Sequence, residues 1–382
     1  MIPDFIQQKL NDRKKNNRFR ILPELSFAKE KDFCSNDYFS LAIQNHPLDF
    51  FLQKELPQGS GGSRLISGNH PILNEVEKQV EKMAASQNQK ALYFSSGYMA
   101  NLGLLSAIGQ KQITLFFDAD IHASLKDGIR LSHANRIRFK HNDLNHLEHL
   151  LKKSKAREKF VVIESVYSMD GSLAPLEITF LCEKYHAYLI VDEAHGFGVF
   201  GQKGAGRFAN ENVFARILTF GKAAGCSGAC VVASDTVIDY CINFARSFIY
   251  TTAPSPLLSS ILLYNLIQLE QHAETWQNHL NKKVRLFQKN LYGNVKNLSP
   301  ILGFVIPTEN KVKEVANILQ EKGFGIIPIV APTVKAGQER LRISLHLHNP
   351  DEVILSLSHF LKHLSHLDAV IEQKNMQYDS NR

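Results

Sequence analysis

The chain has 382 residues, of which 44% are hydrophobic and 21% charged, and its formal net charge is +7. This length and composition are typical of a soluble globular protein with one large and one smaller domain. No apolar run approaches the ~20 residues of a membrane span, and residues 1–20 lack the apolar core of a signal peptide, so we expect a cytoplasmic protein. The five cysteines form no CxxC pair, so we expect no disulfide framework.

The chain begins with a predicted amphipathic helix and a basic cluster. Residues 1–20 carry Phe5 and Leu10 on one side of the helix, and the cluster runs from Arg13 to Arg20. It would form a solvated helix face, or attract an anionic substrate or an acidic carrier protein. Nucleic acid is a third alternative, which no reading motif supports.

Residues 33–38 then predict a strand and a turn. The most glycine-dense stretch follows at Gly59–Arg64, with neither a GxGxxG pattern nor a Walker lysine. We predict that the backbone passes close to a ligand or a partner subunit there.

Strands and helices alternate through the middle of the chain. The apolar patterns predict helices at 71–86, 99–108, 124–133, 144–153 and 175–185, and strands at 91–94, 113–117, 136–140, 160–165, 188–191, 214–220 and 231–234. Such alternation predicts an α/β fold with a mainly parallel, doubly wound sheet.

A smaller α+β unit is predicted near the end of the chain. A long helix at 257–292 leads into strands at 301–306, 325–329 and 340–345, a helix at 311–322 and a final helix after Pro350. We expect an N-terminal helix and arm (1–45), a large domain (46–256), the connecting helix (257–292), a small domain (293–372) and a tail (373–382).

Two predicted strand ends carry the residues that point to a chemistry. Asp192 and His195 follow the apolar run at 188–191, and Lys222 follows the run at 214–220, between small residues. Ligands sit at the carboxyl edge of such sheets. A carboxylate, an imidazole and a sterically open lysine together favour pyridoxal 5'-phosphate, whose ring nitrogen pairs with an acid and whose aldehyde binds a lysine.

Three more loops at predicted strand ends offer polar groups. Ser95 to Tyr98 begin a helix and would bind a phosphate, although a plain helix N-cap is an equally common role for such residues. The other two loops contain His122 and Ser168.

With these loops located, the chain resembles the α-oxoamine synthase family of fold-type I pyridoxal-phosphate enzymes along nearly its whole length. The resemblance lies in ten motifs in a fixed order: SNDYFSLA, GSGGSRLISG, FSSGYMAN, DADIHASL, FKHND, ESVYSMDG, VDEAHGFGVFG, TFGKAAG, YTTAP and APTVKAGQERLRIS. It implies a fold-type I large domain that binds the cofactor and a smaller C-terminal domain.

The resemblance implies roles around the cofactor ring. Lys222 would carry the cofactor and act as base and acid at the substrate Cα, while Asp192 would pair with the ring nitrogen. His195 would hydrogen-bond the phenolic oxygen, with Ser168 in neighbouring geometry, and His122 would stack on the ring. Ala223, the residue after Lys222, departs from the pattern of many relatives, and it would change the surface on which the cofactor ring packs.

The resemblance also implies a phosphate site and a homodimer with shared active sites. Gly97, Tyr98 and Thr219 would hold the phosphate and its surroundings, helped by Thr251 or Thr252 from the second subunit.

Substrate contacts follow from the same resemblance. Arg342 would bind the amino acid carboxylate, Asn36 and Thr333 would line the substrate side, and Arg20 would bind a distal carboxylate on the acyl chain, with Arg18 as the alternative in register. Leu302-Gly303 stands where relatives often carry a polar residue and proline, which bears on acyl specificity.

The implied reaction is a decarboxylating condensation of an amino acid with an acyl thioester, for which L-alanine and pimeloyl-CoA or a pimeloyl-carrier protein are the expected substrates. The alternatives are a sister enzyme that joins glycine to a short or a longer acyl-CoA, an aminotransferase, and a cofactor-binding regulatory module. His346 and His348 alternate along a strand like a metal pair, but no third ligand lies near them in sequence. We therefore predict no metal site.

Overall fold

The central sheet has seven strands. The computed structural model describes residues 2–16, 18–22, 27–44, 56–86 and 88–364. The strands are β1 Gln89–Phe94, β2 Ile113–Asp118, β3 Asn135–Phe139, β4 Glu158–Glu164, β5 Ala187–Asp192, β6 Ala215–Thr219 and β7 Ala229–Ser234. They are ordered β1-β7-β6-β5-β4-β2-β3, and every pairing is parallel except the two that β7 makes, with β1 and β6.

Helices cover both faces of this sheet, so its strands are buried apolar runs. Leu92 and Phe94 of β1 pack into one hydrophobic core and Tyr93 into the other, as the alternation of side chains along a strand requires. The helices over this part of the chain are Pro71–Ala84, Gly97–Ile108, Ala123–Leu131, Leu144–Lys153, Ile178–Lys184, Asp235–Phe244 and Arg246–Ile249.

The predicted mainly parallel, doubly wound sheet is confirmed, with two differences in detail. The helices Asp235–Phe244 and Arg246–Ile249 were not predicted. The first of them buries only Ile238 and Cys241, which is too few positions to produce a recognisable helical period. The antiparallel direction of β7 also leaves no mark in its composition.

A second, three-stranded sheet is built late in the chain. Its strands β8 Ile301–Val305, β9 Ile327–Ile329 and β10 Arg340–Ser344 are antiparallel and ordered β8-β10-β9. The helix Pro256–Tyr292 precedes it, the helix Glu309–Glu321 lies between β8 and β9, and residues 351–364 are helical. The predicted domain boundaries remain predictions, and those near residue 45 and beyond 364 lie outside the described residues.

The strand predicted at residues 33–38 does not form. Only a bridge between Asp32 and Gly325 is present, and the Asp32 side chain accepts hydrogen bonds from the backbone N–H groups of Cys34 and Ser35 at 2.9 and 3.0 Å. These N–H groups therefore bind a side chain instead of a neighbouring strand. Ser344 donates to the Phe33 carbonyl at 2.8 Å, which ties this segment to the end of β10.

The N-terminal helix spans Asp4–Lys15 and buries none of its side chains. After it, Arg18 forms an ion pair with Glu309 at 3.2 Å. In the glycine-rich stretch, the Ala253 N–H donates to the carbonyl of Gly62 at 2.9 Å, and the predicted approach to a ligand or a partner subunit stays a prediction. None of the helices over the described ranges has the length and hydrophobicity needed to span a membrane.

Candidate active site

Two strand ends meet at one cavity, because β5 and β6 are parallel neighbours and end at the same edge of the sheet. Asp192 is the last residue of β5, and Lys222 follows β6 by three residues. Both line a cavity of about 390 Å³. The predicted site residues that line it are Asn36, Gly97, Tyr98, His122, Ser168, Asp192, His195, Thr219 and Lys222.

Lys222 presents its amine to a buried histidine. Its Nζ lies 2.9 Å from Nε2 of His195. Burial lowers the pKa of Lys222 to about 8, against the opposing effect of the Asp192 and Glu164 carboxylates. A large fraction of the amine is therefore unprotonated slightly above neutral pH, and the unprotonated amine is the form that attacks a carbonyl carbon.

Asp192 is held in a fixed orientation. Its carboxylate accepts from Asn101 Nδ2 at 2.7 Å and from the Ala194 N–H at 2.8 Å, and only 4% of the residue is exposed. Asn101 was not predicted, although it closes the motif FSSGYMAN. Its amide also donates to the Ser124 hydroxyl at 2.9 Å, so one residue of the helix Gly97–Ile108 aligns two neighbours of the cavity.

His195 is neutral and contacts polar groups on both ring nitrogens. Burial, with the adjacent positive charges of Lys222 and Arg342, lowers its pKa well below the ordinary range. Nδ1 lies 2.7 Å from the hydroxyl of Tyr38, a fully buried residue that sequence analysis did not single out. Tyr38 lies in the motif SNDYFSLA, which was the only signal for it.

His122 is fixed at the start of the helix Ala123–Leu131. Its Nδ1 lies 2.8 Å from the Ser124 hydroxyl, and its backbone N–H donates to the Glu164 carboxyl group. Burial lowers the pKa of His122, so its ring too is uncharged at neutral pH. An uncharged ring at the cavity wall can pack against a planar ligand.

Glu164 is a buried acid that was not predicted. It ends β4 and is the first residue of the motif ESVYSMDG, and only 3% of it is exposed. Burial raises its pKa to about 8, and the nearby Asp192 carboxylate adds to the effect. Glu164 is therefore mostly protonated at neutral pH, while it accepts a hydrogen bond from the His122 backbone.

The start of the helix Gly97–Ile108 faces the cavity. The Ser96 side chain caps it by accepting from the Met99 N–H at 3.2 Å, and Ser95, Ser96 and Gly97 line the cavity. A side chain at Gly97 would collide with Thr219, so the backbone comes close to that residue. Free N–H groups and the helix dipole favour a phosphate here.

Tyr98 lies at the mouth of the same site. Its hydroxyl donates to Asp127, and its ring meets His122 edge-on at 6.5 Å. Thr219 donates weakly to the Ala194 carbonyl at 3.4 Å. The predicted roles of both residues at the phosphate remain predictions.

Arg342 connects the small sheet to the cavity. Its guanidinium donates to the Ser168 carbonyl at 2.6 Å, to Asn36 Oδ1 at 2.7 Å and to the Ser344 hydroxyl at 2.8 Å. A guanidinium has five N–H groups, and these bonds use three of them. The guanidinium also lies beside the Tyr38 hydroxyl, and it reaches the cavity through Ser168 and Asn36, which line it, rather than by lining it itself.

Besides Arg342, four predicted residues do not line this cavity. Thr251 and Thr252 follow the helix Arg246–Ile249, Thr333 is in an exposed turn, and Arg20 is exposed. None of them lines the cavity of its own chain. Their predicted roles toward a partner subunit or an acyl chain stay predictions.

The histidine pair does acquire a third group, which sequence analysis missed. Asp32 lies with His346 and His348 so that one ligand atom of each is within 4.8 Å of the others. However, the two rings are stacked at 4.7 Å with only 8° between their planes. A metal ion binds in the plane of an imidazole ring, and two stacked parallel planes do not share such a position. We derive no metal site from this cluster.

Comparisons with known proteins found a matching family model and similar relatives. A family model described as aminotransferase class I and II matches residues 29–356. An 8-amino-7-oxononanoate synthase of Herminiimonas arsenicoxydans is 38% identical over 328 residues, which cover 82% of this chain and 84% of that protein.

Two solved structures have similar folds. An 8-amino-7-oxononanoate synthase of Francisella tularensis matches with a TM-score of 0.73 and 29% identity, over 88% of this chain and 98% of that one. A serine palmitoyltransferase of Sphingomonas wittichii matches with a TM-score of 0.86 and 25% identity, over 96% of this chain and 98% of that one.

Proposed function

From the premise that the chain belongs to the aminotransferase class I and II family, we propose that it works as an 8-amino-7-oxononanoate synthase. It is a pyridoxal-phosphate-dependent acyltransferase of biotin biosynthesis, which condenses L-alanine with a pimeloyl thioester and releases the thiol and carbon dioxide. The observation that carries the proposal is the meeting of Lys222, Asp192 and His195 at one cavity, in a chain whose relatives carry that name at more than a third identity.

The residues of the cavity fit pyridoxal phosphate. An amine, an oriented carboxylate and open helix N–H groups line one space of about 390 Å³. When bound, the cofactor supplies an electron-withdrawing ring that stabilises negative charge at the amino acid Cα. Asp192, held by Asn101, would pair with the ring nitrogen, and the start of the helix Gly97–Ile108 would hold the phosphate.

Three side chains would act on the cofactor and the substrate. Lys222 would hold the cofactor covalently, and its amine, with a pKa of about 8, suits it to take up and return a proton at the amino acid Cα. His195 places its Nε2 2.9 Å from the Lys222 amine at the wall of the cavity. Arg342 would orient the amino acid through its carboxylate, since its guanidinium contacts Ser168 and Asn36, which both line the cavity.

We further propose that the active enzyme is a cytoplasmic homodimer. Tyr250 is 72% exposed, and the neighbouring Thr251 and Thr252 do not line the cavity of their own chain. Such an arrangement suits residues that serve the partner's cavity. The exposed basic residues in the last turn of the N-terminal helix, Arg13, Lys14 and Lys15, suit an acidic acyl carrier as an alternative donor to CoA.

Covalent trapping tests the role of Lys222. The protein is loaded with pyridoxal phosphate, reduced with borohydride and digested, and the modified peptide is identified by mass spectrometry. We expect the cofactor on the peptide that contains Lys222, and neither modification nor thiol release in Lys222→Ala. Lys203→Ala, at a half-exposed surface position, is the matched control. Modification elsewhere, or full activity of Lys222→Ala, would refute the assignment.

A further inference from the structure

We propose that Tyr38 is a positioning residue that donates a hydrogen bond to Nδ1 of His195 and so holds this histidine in the tautomer with its proton on Nε2. The catalytic relevance of this hydrogen bond rests on the proposed function, whereas the hydrogen bond itself involves only side chains of the protein. It explains why a tyrosine hydroxyl is buried beside His195 without lining the cavity.

The first step is the contact geometry of the hydroxyl. Tyr38 is fully buried, and its oxygen lies 2.7 Å from His195 Nδ1 but 3.3 Å from Asn36 Oδ1. The Asn36 oxygen already accepts from the Arg342 guanidinium at 2.7 Å. A hydroxyl has one proton, and the shorter contact is to the acceptor that no charged donor occupies.

The second step is the charge around Tyr38. Burial raises the pKa of its hydroxyl, so the group keeps its proton, and the Arg342 guanidinium only partly opposes this effect. A nearby cation attracts the lone pairs of the oxygen and turns its hydrogen away. The hydrogen then points to the remaining neighbour, His195 Nδ1.

The third step follows from the chemistry of neutral imidazole. One ring nitrogen carries the hydrogen and the other accepts, so a bond accepted at Nδ1 leaves the hydrogen on Nε2. Nε2 faces Lys222, 2.9 Å from Nζ, and His195 lines the cavity. His195 therefore presents a donor where the phenolic oxygen of the cofactor would lie, and the bond from Tyr38 strengthens that donor.

The tautomer can be read directly by NMR on protein without cofactor, labelled with ¹⁵N in the histidine rings. The chain has 16 histidines, and the spectrum of His195→Gln identifies the signals of His195. Because a charged Lys222 could itself donate to Nε2, the spectrum is recorded well above the pKa near 8. The groups facing these two residues, Asp192, Glu164, Arg342 and His122, are all retained.

We expect a protonated Nε2 and a hydrogen-bonded, unprotonated Nδ1. A proton on Nδ1 would overturn the proposal. In Tyr38→Phe the Nδ1 signal should move toward that of a free nitrogen, because the ring is kept and only the hydroxyl is lost. Tyr93→Phe is the matched control, since Tyr93 is also buried and its hydroxyl contacts Ser227 instead.

A second readout uses the cofactor-loaded protein without substrates. The pH midpoint of the cofactor absorbance should rise by about half to one unit in Tyr38→Phe, because a weaker donor at Nε2 stabilises the ring oxygen's anion less. An unchanged midpoint in Tyr38→Phe would refute the inference. Neither result requires turnover, so an inactive protein with the expected tautomer would refute only the proposed function.

Discussion

Replacing the buried acid Glu164 with glutamine should make the protein more stable at high pH. Glu164 is 3% exposed, and burial raises its pKa from 4.5 to about 8 in the folded chain. Between these values the folded state binds more protons at this position than the unfolded state does, so stability falls as pH rises. Glutamine keeps the oxygen that accepts from His122 but has no proton to lose.

The magnitude follows from the width of that window. Each pH unit corresponds to about 1.4 kcal/mol, so the full window from 4.5 to about 8 corresponds to about 5 kcal/mol. The contribution of Glu164 is fully present below 4.5 and is lost as pH rises through its folded value. We therefore expect Glu164→Gln to gain stability over the wild type at up to about 1.4 kcal/mol per pH unit in that range.

Urea unfolding of both proteins without cofactor, at a series of pH values across the window, measures this difference. Glu148→Gln is the control, because its hydrogen bond to Lys184 lowers the pKa of Glu148 and its trend should be opposite and small. Parallel pH profiles for Glu164→Gln and the wild type would refute the reasoning about Glu164.

Three further predictions follow from the site and the fold. Arg342→Lys should raise the KM for L-alanine about 10- to 100-fold in steady-state kinetics, since an ammonium has no bidentate fork; an unchanged KM would contradict this. Gly171→Ala should destabilise the protein by at least ~2 kcal/mol in urea, because its φ is +72° and a Cβ would collide with the Ile301 carbonyl. Burial lowers the pKa of His141, but the hydrogen bond to Asp118 and its charge raise it more, so the net pKa is raised. His141 therefore stabilises the folded protein below pH 6.5, and this contribution fades as the pH rises above that value. His141→Ala should destabilise the protein in urea at low pH and have less effect at high pH.

Much of the active site could be predicted because its residues lie at strand ends. Asp192 and Lys222 each follow an apolar run, and parallel neighbouring strands bring such ends together without any knowledge of side-chain contacts. The helix start at Gly97 is likewise a local feature of the sequence. These features depend on periodicity and chain order, which a single sequence contains.

The partners of these residues could not be predicted, because they come from distant parts of the chain. Asn101 contacts Asp192 across 91 positions, and Tyr38 contacts His195 across 157. Both residues lie in motifs of the family, but the motifs do not predict which side chains they contact. The antiparallel direction of β7 and the packing of Asp32 beside His346 also arise only from tertiary pairing.

The most direct test of the proposed reaction is the fate of the alanine carboxyl carbon. The cofactor-loaded protein is given L-alanine labelled with ¹³C at the carboxyl group together with pimeloyl-CoA, and thiol, labelled carbon dioxide and product mass are measured together. The account predicts one labelled carbon dioxide for each thiol released and a product with the mass of 8-amino-7-oxononanoate. Thiol release without labelled carbon dioxide, or turnover with glycine and a short acyl-CoA only, would contradict it.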